Sequence, residues 1–433
     1  MAWLNTKGFC MRRLVALLAL AASPASADTV VVSSARMVDV ISGRVVEEPV
    51  VVITDGRITA VAGRGTAPAI VPQGARQVDL GRKTILPGLI DMHFHVGGSP
   101  TISGYQLQDY TDNFFTVLGV PNVKATLDSG FTTVRSVGDD DYADVAVQQA
   151  VNGGFIPGPR IVAATHLLGA TGGHCDWNVN RPSLNRSTAA IADGPYEIRK
   201  KVRELKKLGA QVLKICATGG VFSRNTEPGA QQMTFEEITA ATAEAHMLGL
   251  KVAAHAHGAA GIKDSIRAGV DTIEHASFID AEGIRLAKQH GTWLTMDIYN
   301  TEYTQAEGKK IGIPEEFLRK DREVAQIQRD NFRIAHKAGA KMIFGSDVLT
   351  IPWGTAGRQF RVMTQYGMSP MEAIQSATRN AAEALGWTSD VGAIAVGRYA
   401  DIIAVDGDPI ADITELEHVD VVIKGGEVVK GEL

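Results

Sequence analysis

The sequence predicts an α/β chain: a (β/α)8 TIM-like barrel with a small β-sandwich domain built from both chain ends. Three observations predict it. Over residues 87–385, eight apolar strand-like segments alternate with helical stretches, the pattern of βα units arranged around a barrel. The flanks, 28–86 and 386–433, read instead as short strands broken by Gly, Asp and Pro. Finally, titratable residues gather at the C-terminal ends of several of the eight segments, where barrels of this kind carry their chemistry.

Taken in order, residues 1–27 form a leader. Arg12 and Arg13 precede "LVALLALAA", and "ASPASA" ends in small residues at Ala25 and Ala27, a secretory signal with cleavage expected before Asp28. A start at Met11 would give a more ordinary signal. The apolar run is too short to anchor the chain in a bilayer, and no later segment resembles a transmembrane helix. An exported product, periplasmic or secreted and without a membrane anchor, is expected. "TVVVSSARMVDV", "EEPVVVITDGRITAVAG" and "ARQVDLG" then supply strands, matched near the C-terminus by "VGAIAVGRYADIIAVDGD" and "VDVVIKGGEVVKGEL". One domain assembled from both ends accounts for the two similar flanks. Between them the barrel strands are "TILPGLIDMHFH", "GFTTVRSVG", "PRIVAATH", "AQVLKICATGG", "KVAAHAHG", "DTIEHASFI", "TWLTMDIY" and "AKMIFGSDV". The helical stretches "PYEIRKKVRELKKLG", "TFEEITAATAEAHMLG" and "AAGIKDSIRAG" each end in glycine, the usual C-terminal stop.

Composition narrows the function. The 433 residues are 45% apolar, enough for a large core. The formal charge is −5, and loss of Lys7, Arg12 and Arg13 with the leader makes it −8, which argues against general nucleic-acid or anionic-membrane binding. The expected partners are a small-molecule substrate and further copies of the chain in a homo-oligomer. Cys10 lies in the leader, leaving Cys175 and Cys216. Two cysteines make no disulfide framework, so they are expected to be unbridged, with Cys216 a small packed thiol.

The strand ends carry the chemistry. In "DMHFH", His93 and His95 stand one residue apart and point to the same side of a strand. Strand four ends with Lys214 among Val212, Leu213 and Ile215; strand five with His255 and His257; strand six with His275; strand eight with Asp347 in "FGSD". Each alone has an ordinary explanation: a packed histidine, a snorkelling lysine, a helix-capping aspartate. Together on one rim they point to a shared metal. Burial would lower the Lys214 pKa, and a neutral amine can react with CO2 to give a carbamate able to bridge two cations. Of His255 and His257, one can be a ligand and the other a pocket residue.

The segments "LPGLIDMHFH", "VLKICATGG", "AAHAHG", "IEHASF", "FGSD" and the tail "VGAIAVGRYADIIAVD" together resemble the amidohydrolase superfamily. The resemblance covers essentially all of the chain after the leader. Within the superfamily it is similar to the binuclear branch of prolidase-like dipeptidases and carboxypeptidases, which includes ochratoxin-hydrolysing amidases. That resemblance implies His93, His95 and Asp347 on one metal and His255 and His275 on the other. Lys214, as N6-carboxylysine, would bridge both, and His257 would line the pocket. Mixed imidazole and carboxylate ligation suits Zn2+ best, with Mn2+, Co2+ or Fe2+ as substitutes. Two such ions about 3.5–4 Å apart make a bridging water into hydroxide near neutral pH, and Asp347 is placed to take its proton and pass it to the leaving amine.

A second donor to the scissile carbonyl is expected from His174 in "GATGGHCDW", with His166 the competitor. Arg224, in "GGVFSRNTEPG", is the first choice to pair with a substrate carboxylate. Trp177, Phe222, Tyr299 and Trp353 are candidates to receive a hydrophobic side chain. The expected reaction is cleavage of the amide bond of dipeptides or N-acyl amino acids, releasing a C-terminal amino acid, with ochratoxin A (releasing phenylalanine) among the substrates. The alternatives are a mononuclear deaminase or cyclic amide or lactone hydrolase of the same superfamily, and a non-enzymatic binding or scaffolding member. "HAHGAAG" lacks the glutamate often found in such deaminases, scaffolds usually lose ligands, and no G-x-S-x-G, HExxH or P-loop is present.

Overall fold

The computed structural model describes residues 29–431, apart from 67–69, 103, 177, 179–182 and 184–186. The expected leader and Trp177 lie outside the described residues. Eight strands appear where eight were expected: Leu89–Phe94, Phe131–Ser136, Arg160–Val162, Val212–Cys216, Lys251–Ala256, Thr272–His275, Trp293–Thr295 and Met342–Ile343. All adjacent pairs are parallel, the first three strands forming one sheet and the other five a second. Backbone hydrogen bonds connect the two sheets at both edges. Leu168 N–H donates to Lys214 O and Cys216 N–H to Leu168 O, each at 2.9 Å, while Met92 N–H donates to Phe344 O at 3.0 Å and Asp347 N–H to His93 O at 2.8 Å. The result is a TIM-barrel-like α/β fold whose strand ends share one rim.

The three expected helices are Gly194–Lys207, Phe235–Met247 and Ala259–Arg267. Gly209, Gly249 and Gly269 follow them, each at positive φ, a conformation that a side chain would disfavour. Thr234 and Glu237 form a capping box at the start of the second helix. Between strands seven and eight the chain inserts two helices, Asn300–Glu307 and Glu315–Lys337. The longer one buries Phe317, Lys320, Asp321, Val324 and Gln328 on one face, and that face walls the rim. Among the described residues no helix is long and apolar enough to cross a membrane.

Both chain ends build the remaining two sheets. One contains Arg57–Ala62, Val50–Thr54, Thr29–Ser33 and Arg76–Asp79; the other contains Glu427–Lys430, Val421–Lys424, Ile402–Val405, Thr84–Pro87, Arg36–Asp39 and Arg44–Glu47. Val32, Val51 and Ile53 of the first pack with Ile85, Ile402 and Ile423 of the second, each burial stabilising by roughly 1.5–3 kcal/mol. "TILPGLIDMHFH" is not a single strand: Thr84–Pro87 pairs antiparallel with Ile402–Val405, whereas Leu89–Phe94 belongs to the barrel. The break is Gly88, whose backbone passes so close to Thr132 that a Cβ there would overlap its side chain.

Candidate metal centre and active site

His93 and His95 converge on Asp347, both Nε2 atoms lying 3.4 Å from its Oδ1. Their other nitrogens are committed. His93 Nδ1–H donates to Glu274 Oε2 at 2.9 Å, and His95 Nδ1–H donates to the Gly138 carbonyl at 2.5 Å. His275 Nδ1–H donates to Asp297 Oδ1 at 2.8 Å, and His255 uses Nε2 to reach the Gly219 carbonyl at 3.2 Å. A carboxylate or carbonyl oxygen has no proton to give back. Each of these four imidazoles, when neutral, therefore presents a bare lone pair on its remaining nitrogen. Lone pairs of His93 and His95 facing a carboxylate oxygen repel one another unless a cation lies between them. Outer acceptors that hold the tautomer of a ligand histidine are the usual support of a metal site. The ligand atoms of His93, His275 and Asp347 lie within 4.8 Å of one another, as do those of His255, His257 and His275. The donor set thus fits divalent cations.

Electrostatics favour the neutral ring at His93, His255 and His257, whereas at His95 and His275 a neighbouring carboxylate favours a positive charge, carried by a proton or by a cation. Burial lowers the His93 pKa to about 4 with help from Lys214, and burial with neighbouring imidazoles holds His255 and His257 well below the ordinary value. Burial works against protonation of His95 and His275 too, but Asp347 and Asp297 respectively outweigh it and raise both. Burial would raise Asp347; the imidazoles of His93, His95 and His275 overcome that and hold it below the usual carboxylate range. Lys214 is 1% exposed, and burial lowers its pKa to about 8. Among the described residues no carboxylate lies within ion-pair distance of its Nζ.

Backbone strain marks the same residues. His275 (φ 68°), Ala276 (φ 50°) and Asp347 (φ 52°) occupy the left-handed region without being glycine, at a cost on the order of 1–3 kcal/mol each. Gly345, in "FGSD", is required for a related reason: a Cβ there would sit 2.7 Å from the His93 Cβ. The candidate ligands line a cavity of about 420 Å³ that also exposes Leu107, Phe115, Leu167, Phe222, Ile313 and Phe317. His174 reaches the cavity with its ring stacked on His255, centroids 4.2 Å apart. Burial, aided by His275 and Lys214, lowers its pKa to about 3, leaving it neutral.

A sequence profile described as the amidohydrolase family matches residues 84–429. The chain belongs to the amidohydrolase family. The ochratoxinase of Aspergillus niger is 32% identical over 372 residues, covering 80% of this chain and 76% of that protein. Among solved structures, a Xaa-Pro dipeptidase with methionine bound in its active site superposes with a TM-score of 0.86 at 36% identity, covering 93% of this chain and all of the other. The A. niger ochratoxinase structure gives 0.84 at 27% identity, over 94% of this chain and 97% of the other. These likenesses place this amidohydrolase in the prolidase-like branch related to ochratoxinase, and make it a hydrolase.

Of the residues singled out from this amidohydrolase's sequence, His93, His95, Lys214, His255, His257, His275, Asp347 and His174 all line the one cavity. His257 differs from the four anchored imidazoles in that its Nδ1 meets a hydroxyl, Ser277 Oγ, at 2.8 Å, which can donate or accept and so leaves the tautomer open. The structure does not bring Arg224 to the lining. It is half-buried, with its amide N–H donating to Asn178 Oδ1, and among the described residues no arginine lines the cavity. His166 is buried beneath the rim against Tyr142 and does not line the cavity. Phe222 lines it. Tyr299 is buried against Arg358, and Trp353 supports His95 from behind by donating Nε1–H to its carbonyl.

The cysteines were expected to be unbridged. Instead Cys175 and Cys216 form a disulfide across Cα atoms 6.1 Å apart. The loop after strand three returns on itself through a Gly169–Ile191 bridge, while Leu168 pairs with Ile215, and this carries Cys175 onto the inward side of strand four. Sequence reasoning also missed the supports of the candidate ligands. Arg135, 2% exposed, donates to Glu274 Oε1 at 2.7 Å, to Thr272 Oγ1 and to the Met92 carbonyl. Asn300 Nδ2 donates to Asp297 Oδ2 at 3.0 Å and to Asp347 Oδ2 at 3.3 Å. Asp297 was visible in principle, as a carboxylate at the end of "TWLTMD".

Proposed function

We propose that this amidohydrolase binds two divalent cations, most favourably Zn2+, and hydrolyses the amide bond of dipeptides or N-acyl amino acids to release a C-terminal amino acid. The observation that carries the proposal is the set of bare imidazole lone pairs aimed at Asp347 and at one another. His93, His95 and Asp347 would hold one ion, His255 and His275 the other, with Lys214 between them as a carbamate. When bound, such ions supply an activated water and polarise the scissile carbonyl. Asp347 takes up a proton at the carboxylate and delivers it to the leaving amine. Asn300, donating to Oδ2, keeps that carboxylate turned so that Oδ1 faces the histidines.

His174 supplies a neutral N–H to the carbonyl oxygen as charge develops there, a kind of contact whose loss typically lowers kcat about 10²–10³-fold. The apolar wall around Phe115, Phe222 and Phe317 receives a hydrophobic side chain and excludes water. Ochratoxin A, which couples a phenylalanine through an amide, fits the same description, and the relatedness to ochratoxinase supports including it. Export is part of the proposal, supported by the leader and by a disulfide, which persists in oxidising compartments.

The test uses the protein from Asp28 onward, loaded with Zn2+ and bicarbonate, on Xaa-Phe, Xaa-Pro, Xaa-Arg, N-acyl amino acids and ochratoxin A. Metal-dependent release of the C-terminal amino acid, abolished in Lys214→Ala, together with about two ions per chain, is the expected result. One ion per chain would favour the deaminase alternative, and none the scaffold. Failure of fully loaded protein to release an amino acid from any of these compounds would overturn the peptidase reading.

A further inference from the structure

We propose that Ser223 is a positioning residue for His174: its hydroxyl donates to Nδ1 and thereby fixes the imidazole with its N–H at Nε2, toward the scissile carbonyl oxygen. The inference rests on the role given to His174 above. Ser223 Oγ lies 2.8 Å from His174 Nδ1 and 2.5 Å from Thr226 Oγ1, and both hydroxyl residues are buried. A serine hydroxyl carries one proton. With Thr226 donating to Ser223, that proton points to His174, and hydroxyls aligned in one direction strengthen each other. The reverse order would place the proton on Nδ1. A bare Nε2 would then face the carbonyl oxygen, lone pair against lone pair.

The surroundings hold this relay in place. Lys320, fully buried on the helix Glu315–Lys337, donates from Nζ to the Ser223 carbonyl at 2.6 Å and pairs with Glu316 at 3.1 Å. Burying an ammonium is unfavourable unless it is well partnered, and here its partner is the backbone of the very residue that meets the imidazole. Gly220 of the same loop lies flat against the ring: a Cβ there would overlap it, with Nε2 only 2.6 Å away. The main chain of His174 is fixed independently, its N–H donating to Gln232 Oε1 at 2.8 Å and its neighbour Cys175 bridged to strand four. Main-chain anchors set where the ring stands. The Ser223 hydroxyl selects which nitrogen carries the proton.

A double-mutant cycle on the metal-loaded enzyme tests this with any substrate from the panel above. Ser223→Ala should lower kcat about 10–30-fold with KM within about twofold, and Ser223→Thr should recover most of the loss. His174→Ala should lower kcat by about 10²–10³-fold, and adding Ser223→Ala to it should cost nothing more, because Ser223 acts only through the ring. Independently of turnover, protein labelled with 15N-histidine should show one resonance pair, absent in His174→Ala, with Nε2 protonated and Nδ1 bare. That pair should become a tautomer mixture in Ser223→Ala. Unchanged kcat in Ser223→Ala, a further loss on top of His174→Ala, or a His174 protonated at Nδ1 would each overturn the proposal. Wild-type kcat in His174→Ala would instead overturn the role of His174 itself.

Discussion

Replacing Cys175 and Cys216 together with serine removes a cross-link between residues 41 apart in sequence. In the chain-entropy description, closing a loop of that size costs the unfolded chain about 13 cal/mol/K, or about 4 kcal/mol at 25 °C. The native side of the balance should change little. Strand four stays joined to the loop after strand three by the Leu168–Ile215 bridge and by Cys216 N–H donating to the Leu168 carbonyl, and the His174 amide still reaches Gln232. With an unfolding entropy of about 2.1 cal/mol/K per residue over roughly 400 residues, that loss lowers the melting temperature by about 5 °C. The assay is calorimetry on metal-loaded protein from Asp28 onward, wild type against double variant. Thiol titration in denaturant runs beside it, since that chain has no other cysteine. The expected titre is zero free thiols in unreduced wild type. Two free thiols, or a melting temperature shifted by less than about 1 °C, would refute the reasoning.

Three further outcomes are expected. Glu274→Gln leaves buried Arg135 without its carboxylate and weakens the acceptor that orients His93; breaking such a buried pair should cost about 3–5 kcal/mol and weaken metal binding about 10–100-fold, read by thermal unfolding and competitive chelation. Lys214, with its pKa lowered to about 8, exposes more neutral amine as pH rises. At constant dissolved CO2, the initial rate of 13C-carbamate formation on apoprotein, which follows the neutral amine, should therefore climb about tenfold from pH 6 to 7 and level off above 8; a flat rate profile by 13C NMR would contradict the burial argument. Gly220→Ala drives a Cβ into the His174 ring, so kcat should fall by about 10²-fold, while overpacking lowers stability by about 1–3 kcal/mol, measured by steady-state kinetics and calorimetry on the same preparation.

What could be read from the sequence was local. Strand alternation alone places His93 and His95 side by side, and the ends of strands four, five, six and eight deliver Lys214, His255, His275 and Asp347 to one rim. Glycines at 209, 249 and 269 announce helix ends because the required φ is a property of a single residue. What could not be read was tertiary. Arg135 and Glu274 lie 139 residues apart and Ser223 and Lys320 97 apart, and no periodicity links such partners. The charge of Arg224 and its place on a loop after strand four suit carboxylate binding, but neither specifies where a side chain points. A count of two cysteines spoke against a framework; only the return of the loop after strand three brings their Cα atoms to 6.1 Å.

Gly88 joins Thr84–Pro87 of a terminal sheet to Leu89–Phe94, the strand that delivers His93 and His95, with no residue to spare. Multi-part enzymes commonly separate their bodies by a slack linker, which lets one part swing, be cut away or be exchanged between genes. Here the outer sheet and the ligand-bearing strand are one taut segment, crowded at its single joint by Thr132. The terminal sheets therefore act as a fixed mounting for the strand that carries His93 and His95, and a shortened barrel made to stand alone would lose the footing of both histidines.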